Sequence, residues 1–365
     1  MMNTLPVGEL LELFLRFLTL SLLSIGGAMS TAPEMHRYLV VERGWLGEAD
    51  FTTAIALAQA APGPNVLFVP VLGFQVAGLA GAAAALLGIL LPFTMFAGEV
   101  QAEQLGEAGV RYVDRDEFDM TDPAVVAGYD WRNIATVINA AAYTAVDAAE
   151  TAEGRVGCWA ANVTGVAGLA RFAAAHRTTL VQVSSDYVFD GSKDDAYLEN
   201  DAIAPLGVYG QSKAAGDATA STVPQHYIVR TSWVIGDGNN FVRTMANLAD
   251  KGVKPSVVGD QYGRLTFTTD LAAGIVHLIS TNAPAGTYNL TNTGPTQSWA
   301  DIAKRVFELR GRSADDVTEV TTAEYFADKP GMAPRPTHST LALGKLAGAG
   351  FEPVNADDRL REYLG

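Results

Sequence analysis

Leu180-Val181-Gln182-Val183-Ser184-Ser185-Asp186-Tyr187-Val188-Phe189-Asp190-Gly191 is the stretch on which the reading of the fold turns. It opens as a short apolar run of the length of a buried strand, then becomes polar and aromatic and closes on glycine, as at a strand end. Outward from it the texture repeats. Apolar runs at 110–113, 136–140, 180–184, 227–231 and 288–290 read as strands, and amphipathic stretches at 160–175, 211–222, 241–249, 271–280 and 298–310 read as helices. That alternation predicts an α/β fold, a doubly wound parallel sheet with helices on both faces. Ligands of such sheets bind outside the carboxyl ends of the strands, which singles out Ser185 and Asp186.

The chain has 365 residues, 40 acidic against 25 basic side chains, and a formal charge of -15. Such a balance argues against nucleic acid as a partner. The one cysteine, Cys158, has no internal partner, and no Cys/His cluster has metal-ligand spacing, so neither a disulfide framework nor a metal site is expected. No internal repeat is visible.

Charge also divides the chain. Residues 1–98 carry Arg16, Arg37 and Arg43 against Glu9, Glu12, Glu34, Glu42, Glu48 and Asp50, and 51–98 holds no charged side chain at all. A helix needs about 20 apolar residues to cross a bilayer, so this run predicts a membrane segment of two passes or one broken pass, with a buried helical pair as the alternative. A secretory signal fits poorly, because no basic region precedes the apolar stretch 10–29. The segment contains Ser24-Ile25-Gly26-Gly27, Ala32-Pro33-Glu34-Met35, Glu42-Arg43-Gly44-Trp45-Leu46, Ala58 through Pro64 ending in Pro-Gly-Pro, Gly78 with Gly81, and Leu91-Pro92. In this order the motifs closely resemble the chromate transporter family over roughly 5–96, although Ile25 stands where that family usually has an aromatic residue. Only about half of one such transporter domain is present. Alternating access needs packed repeats, so the segment reads as an anchor or remnant and not a working anion pathway.

Past Gly98, Tyr209-Gly210-Gln211-Ser212-Lys213 opens a helix. Tyr209 and Lys213, four apart, share a helical face, and an ammonium beside a phenol lowers a pKa that is about 10 when unperturbed. Ser185 could then hold a substrate carbonyl together with Tyr209 while a nicotinamide delivers hydride.

Five motifs follow one another in the chain: Asn139-Ala140-Ala141-Ala142-Tyr143-Thr144-Ala145-Val146-Asp147, Ser185 through Gly191, Tyr209 through Lys213, Arg230-Thr231-Ser232-Trp233-Val234, and Asp260-Gln261-Tyr262-Gly263. As a set they resemble the dTDP-4-dehydrorhamnose reductases, extended short-chain dehydrogenases, over roughly 100–365. That resemblance implies a Rossmann-type sheet with a small C-terminal substrate lobe. It makes Tyr209 the general acid, Lys213 its orienting partner and a ligand of the nicotinamide ribose, and Ser185 the group polarising the carbonyl. It puts Val146, Asp186 and Trp233 in the sugar-nucleotide pocket, with core packing an equal reading for Trp233. Arg335, in the C-terminal pattern Arg335-Pro336 with Ser339 and Leu341, is left between the nucleotide phosphates and a surface salt bridge.

For the cofactor, Asp114 after the 110–113 run is placed for a ribose hydroxyl and Arg115 for a 2′-phosphate, so NADP(H) is expected, with NAD(H) as the second candidate. Asp119-Met120 matches the family's adenine-flanking pair, and Ala141-Ala142-Tyr143 its backbone lining near the phosphates. What the sequence lacks is the first strand with its Gly-x-x-Gly-x-x-Gly turn, whose amides hold a pyrophosphate at a helix N-terminus. Gly78-Leu79-Ala80-Gly81 is the nearest substitute, but it fits the transporter pattern better. Weak NADPH binding, or none, is therefore expected. His176, His277 and Cys158 read as packed or solvated residues, not as ligands or nucleophiles.

The expected organisation is a truncated transmembrane helical segment over 1–97 and a reductase domain over 98–365 lacking its first strand and Gly-rich loop. The implied activity is NADPH-dependent reduction of dTDP-4-dehydro-L-rhamnose to dTDP-L-rhamnose. The alternatives are a chromate-transporter-type membrane protein with a vestigial reductase half, and an inactive fusion of two truncated genes. Expected partners are a dTDP-sugar, a membrane through 1–98 and a second copy in a homodimer, with the reductase domain on the cytoplasmic side. The full chain should stay with membranes through an alkaline carbonate wash, and complete release into the soluble fraction would replace the membrane segment by a buried helical pair.

Overall fold

The computed structural model describes residues 6, 8–9, 12–13, 16, 35–48, 51–52, 72, 76–77, 110–327 and 331–365. The chain divides into two compact units, Met1–Glu99 with Asp237–Asn240, and Val100–Gly236 with Phe241–Gly365.

In the first unit the Glu42 to Leu46 motif ends a helix. Arg37–Glu42 is a wide turn of π type, after which Gly44 takes a φ of 60° and the chain doubles back. The amides of Trp45 and Leu46 both donate to the Leu39 carbonyl, at 2.9 and 3.2 Å. The Trp45 ring meets Tyr38 edge-on, and Arg43 lies over both rings while pairing with Glu12. Glycine at the left-handed position is what a helix stop of this kind requires. Among the described residues no helix is long and apolar enough to cross a membrane. The uncharged run 51–98 lies outside them, apart from 51–52, 72 and 76–77, and so do the Gly78/Gly81 pair and the Pro-Gly-Pro motif.

The second unit is built on a parallel sheet of four strands in the order β1 (Thr136–Asn139), β2 (Thr179–Ser185), β3 (His226–Thr231) and β8 (Gly286–Asn289). Successive residues of β2 face opposite ways. Leu180, with Ile228 of β3, packs on Val166, Leu169, Ala170 and Ala173 of α3 (Val166–His176). Val181, with Tyr227 and Val229, packs on Leu271, Ile275 and Leu278 of α6 (Thr268–Ser280). Burial on both faces is why these strands read as continuous apolar runs. On the α3 side lie also α2 (Ala152–Trp159), joined to α3 through a wide turn at Ala160–Gly165, and α4 (Val208–Ala220).

A lobe with its own core follows. It contains α5 (Phe241–Asp250), α7 (Trp299–Leu309) and α10 (Ala356–Leu364), with short strands β4 (Val234–Ile235), β5 (Ser256–Val258), β6 (Tyr262–Gly263), β7 (Thr266–Phe267), β9 (Gln297–Ser298) and β10 (Thr318–Val320). The helix start at Ser298 is fixed by a reciprocal capping box with Asp301.

One expected strand is not formed. Residues 110–113 carry no strand pairing, and Tyr112 and Val113 are exposed. In the doubly wound order 3-2-1-4-5-6, the first strand is what such a run pairs with. The other side of β1 likewise has no strand partner among the described residues. A parallel strand needs a neighbour for its backbone groups, so the apolar run by itself does not make one.

Candidate active site

The β2–β3 register pairs Ser184 with Arg230 and Ser185 with Thr231, which brings Ser185 to the carboxyl end of the sheet. There the Ser185 hydroxyl caps a single turn, Asp186–Val188, by accepting from the Tyr187 amide at 3.2 Å, and it donates to Asp186 Oδ1 at 2.9 Å. The helix α4 is set against this turn so closely that a Cβ on Gly210 would lie 2.2 Å from the Tyr187 carbonyl oxygen. Its start is fixed from outside, since Glu150 Oε1 accepts from the Val208 amide at 2.8 Å.

Tyr209 is half-buried, its ring edge-on to Tyr187 with centroids 5.4 Å apart. Burial pushes its phenol well above the ordinary range, and a hydrogen bond with Ser185 is what counteracts it. The structure thus differs from the expectation of a phenol made acidic by Lys213. The lysine Nζ donates to the Val183 carbonyl at 2.6 Å, and burial takes its ammonium down to about 8, with Asp217 opposing.

Asp186 is buried at 2% exposure, and desolvation pushes its carboxyl up to about 6, against the nearby hydroxyls of Ser339 and Ser185, of which Ser185 forms the hydrogen bond. Its Oδ2 has no hydrogen-bond partner. Trp233 takes a φ of 46° and stacks on Trp299 with ring centroids 3.8 Å apart. A Cβ on Gly263 would lie 2.8 Å from the Trp233 ring and 3.1 Å from Ser339 Oγ, so the tryptophan is joined to Asp186 through that glycine and serine. Val146 is half-buried on the loop after β1.

Of the residues read as cofactor contacts, one set is tied to α4 and one is not. Ala141 is exposed and Ala142 half-buried. Asn162 accepts from the Tyr143 amide at 2.9 Å and donates to Ser212 at 2.9 Å, so the Ala141–Tyr143 loop is linked to the helix that carries Tyr209 and Lys213. Met120 lies against Gly165, where a Cβ would come within 2.8 Å of its side chain. Asp119 is held by Thr121 at 2.6 Å, which lowers its pKa. Asp114 Oδ1 is engaged by the amides of Asp116 and Glu117, and Arg115 is exposed, 3.8 Å from Asp119.

Several partnerships across the fold carried no signal in the sequence. Arg335 Nη2 donates to both carboxylate oxygens of Asp147, 2.8 and 2.9 Å, 188 residues earlier in the chain, and its charge acts on the Tyr187 phenol. In place of the surface salt bridge expected of it, the structure shows an ion pair whose guanidinium is largely buried. Asn162 and the buried pair Asp217–Arg230 were missed because each is recognisable only by what it touches across the fold. Cys158 is buried against Ser212 and its thiol is pushed up by burial, while His176 and His277 are each engaged by a backbone carbonyl.

A hydroxyl, a phenol and a lysine ammonium at the carboxyl end of a parallel sheet define a Rossmann-like α/β protein with a Ser-Tyr-Lys site. Residues 97–365 match the family of the RmlD substrate binding domain, and residues 11–181 match the chromate transporter family. The chain is 38% identical over 258 residues to a dTDP-4-dehydrorhamnose reductase of Aggregatibacter actinomycetemcomitans, a span that covers 68% of this chain and 87% of that protein. It is 38% identical over 245 residues to that of Mycobacterium tuberculosis, covering 65% of this chain and 78% of its relative. The crystal structure of dTDP-4-dehydrorhamnose reductase from Bacillus anthracis in complex with NADP superposes with a TM-score of 0.67 at 32% identity, covering 74% of this chain and 95% of that one. The chain belongs to the dTDP-4-dehydrorhamnose reductase family. The overlap of the two family matches, 97–181, includes β1 and α3, which are built into the parallel sheet unit.

The Asp186 carboxyl gives this site a pH signature. Its pKa is raised on folding, so the folded state holds the proton more tightly, and stability falls as pH rises from about 4 to about 6. The loss is on the order of 3 kcal/mol. Asp186→Asn should be more stable than the parent at pH 7 and should lack this slope in urea unfolding at pH 4.5 and 7. An unchanged slope would place the titrating group elsewhere.

Proposed function

We propose that residues 98–365 catalyse the NADPH-dependent reduction of the 4-keto group of dTDP-4-dehydro-L-rhamnose to dTDP-L-rhamnose. The observation that carries this is Ser185 at the carboxyl end of β2 next to Tyr209, with Lys213 buried one helical turn away, in a chain of this family. In the reaction the Ser185 hydroxyl turns its proton from Asp186 Oδ1 to the C4 carbonyl oxygen, and the Tyr209 phenol gives that oxygen its proton as the C4–H bond forms. NADPH, when bound, supplies the hydride. A phenol pushed up by burial stays protonated at neutral pH, as a proton donor must. Lys213, against the Val183 carbonyl, restores positive charge near the phenolate that remains.

The residues present fit the nicotinamide half of the cofactor. Tyr209 and Lys213 would border it, and the loop Ala141-Ala142-Tyr143, held by Asn162, would line the phosphates. Asp119 and Met120 would flank the adenine, and Asp114 and Arg115 its ribose. Val146, Asp186 and Trp233 are proposed for the sugar nucleotide; a carboxylate oxygen without a partner in Asp186 suits a substrate hydroxyl.

For residues 1–97 we infer a membrane anchor derived from a chromate-transporter-type domain. It rests on the match over 11–181 and on the uncharged run 51–98. The reductase domain would then work at the cytoplasmic face, as a homodimer.

Tyr209→Phe should lower turnover about 10²- to 10⁴-fold with sugar-nucleotide binding retained, because only the proton donor is removed. Calorimetric titration with NADPH should show much weaker binding by this chain than by one whose residues 1–99 are replaced with a strand and Gly-x-x-Gly-x-x-Gly turn. Unchanged turnover in the tyrosine variant would move the acid to another residue, and tight binding by the unmodified chain would locate a phosphate cradle in the first 99 residues.

A further inference from the structure

Tyr209, Lys213 and Asp217 stand in one row on α4, each four residues from the last. The reaction above makes no use of Asp217, yet it is buried as deeply as Lys213, each at 4% exposure. A carboxylate at such depth needs a partner. Arg230 of β3 supplies one, Nε donating to Asp217 Oδ2 at 3.1 Å. The arginine is itself held in place: Nη1 donates to the Glu199 carbonyl at 3.1 Å, and the guanidinium lies 5.2 Å from the centre of the Phe189 ring. The Ser184 hydroxyl lies near Asp217 without a well-formed hydrogen bond to Oδ1, and it assists in keeping the carboxylate ionised.

We propose that Asp217 is a positioning residue of the active site: held by Arg230, its carboxylate keeps the Lys213 ammonium charged and in place on the Val183 carbonyl, and so fixes Tyr209 one turn away. The inference rests on the Tyr209–Lys213 reading of the site and deepens it. A buried amine sheds its proton unless a negative charge opposes burial. The groups facing Lys213 are Tyr209 and Asp217 from its own helix, Cys158 from α2, and Arg230 beyond Asp217 from β3. Cys158 and Tyr209 are both pushed up by burial and are neutral near pH 7. Asp186 acts on Tyr209. That leaves Asp217 as the negative charge opposing the desolvation of Lys213, which takes the lysine down to about 8. Burial pushes Asp217 up as well, and Arg230 is the main influence keeping it ionised. The arginine therefore supports the charge of the lysine through the carboxylate between them.

The test is an NMR titration of the full chain labelled with [13Cε]lysine, the Lys213 signal being assigned by its loss in Lys213→Arg. Asp217→Asn should move the Lys213 midpoint down by a tenfold change in proton concentration or more, and Asp217→Glu should recover at least half of that shift. In the same variants the alkaline limb of kcat should follow the lysine midpoint while KM for the keto sugar holds. A folded Asp217→Asn protein with an unchanged Lys213 midpoint overturns the proposal. If that variant does not fold, the unmodified chain decides through [13Cγ]aspartate. The Asp217 signal, assigned by its loss in Asp217→Glu, should bend at the Lys213 midpoint, and a flat Asp217 trace through that pH also overturns the proposal. Should Tyr209→Phe keep its turnover while the lysine midpoint still shifts with Asp217, the reductase reading fails and the positioning role stands.

Discussion

The contact between Lys213 Nζ and the Val183 carbonyl, 2.6 Å long, is the constraint from which the site follows. It joins α4 to β2, which run in opposite directions, as a helix and the strand before it do in a parallel sheet. Two residues along a strand advance about 6.6 Å, and four residues along a helix about 6.0 Å. Once Lys213 meets Val183, moving one turn back on the helix and two residues forward on the strand brings Tyr209 to Ser185. Asp217 lies one turn the other way, and Arg230, which the β2–β3 register places beside Ser184, reaches it with its side chain. A single strand–helix contact thus sets the spacing of hydroxyl, phenol, ammonium and carboxylate.

What surrounds this line is arranged to keep it rigid. Gly210 lets the helix approach the Tyr187 carbonyl where any side chain would collide. Asn162, in the wide turn between α2 and α3, ties the loop after β1 to Ser212 on the same helix. From the far end of the chain, Arg335 pairs with Asp147, on the loop after β1, and its charge acts on Tyr187. These contacts span from 19 to 188 residues of sequence. The cost is two deeply buried carboxylates, each with an oxygen that has no hydrogen-bond partner. Such atoms are rare in folded proteins and mark places where function outweighs stability.

The described four-stranded sheet and the lobe belong to one unit, with β1 at one edge of the described strands. Its register against β2 is set from Thr136↔Thr179 to Asn139↔Gln182, while residues 110–113, apolar enough for a strand, do not form one. Strand formation is a property of pairs, and in the doubly wound order a first strand lies between such a run and β1.

Much was legible in the sequence because its signals are local. The runs at 180–184 and 227–231 became β2 and β3 with ends moved by one residue, and the amphipathic stretch 241–249 became α5 with one residue added. These elements are buried on faces whose period the sequence displays directly. The nearness of Tyr209 to Lys213 was legible for the same reason, since four residues are one helical turn. What the tertiary structure decided is electrostatic and long-range. It set the phenol above its ordinary pKa when the adjacent ammonium suggested the reverse, because desolvation depends on everything that covers a group and not on its neighbour in sequence. It also chose the partners Asp217–Arg230 and Asp147–Arg335, pairs that no spacing announces, because only a folded sheet brings them within reach.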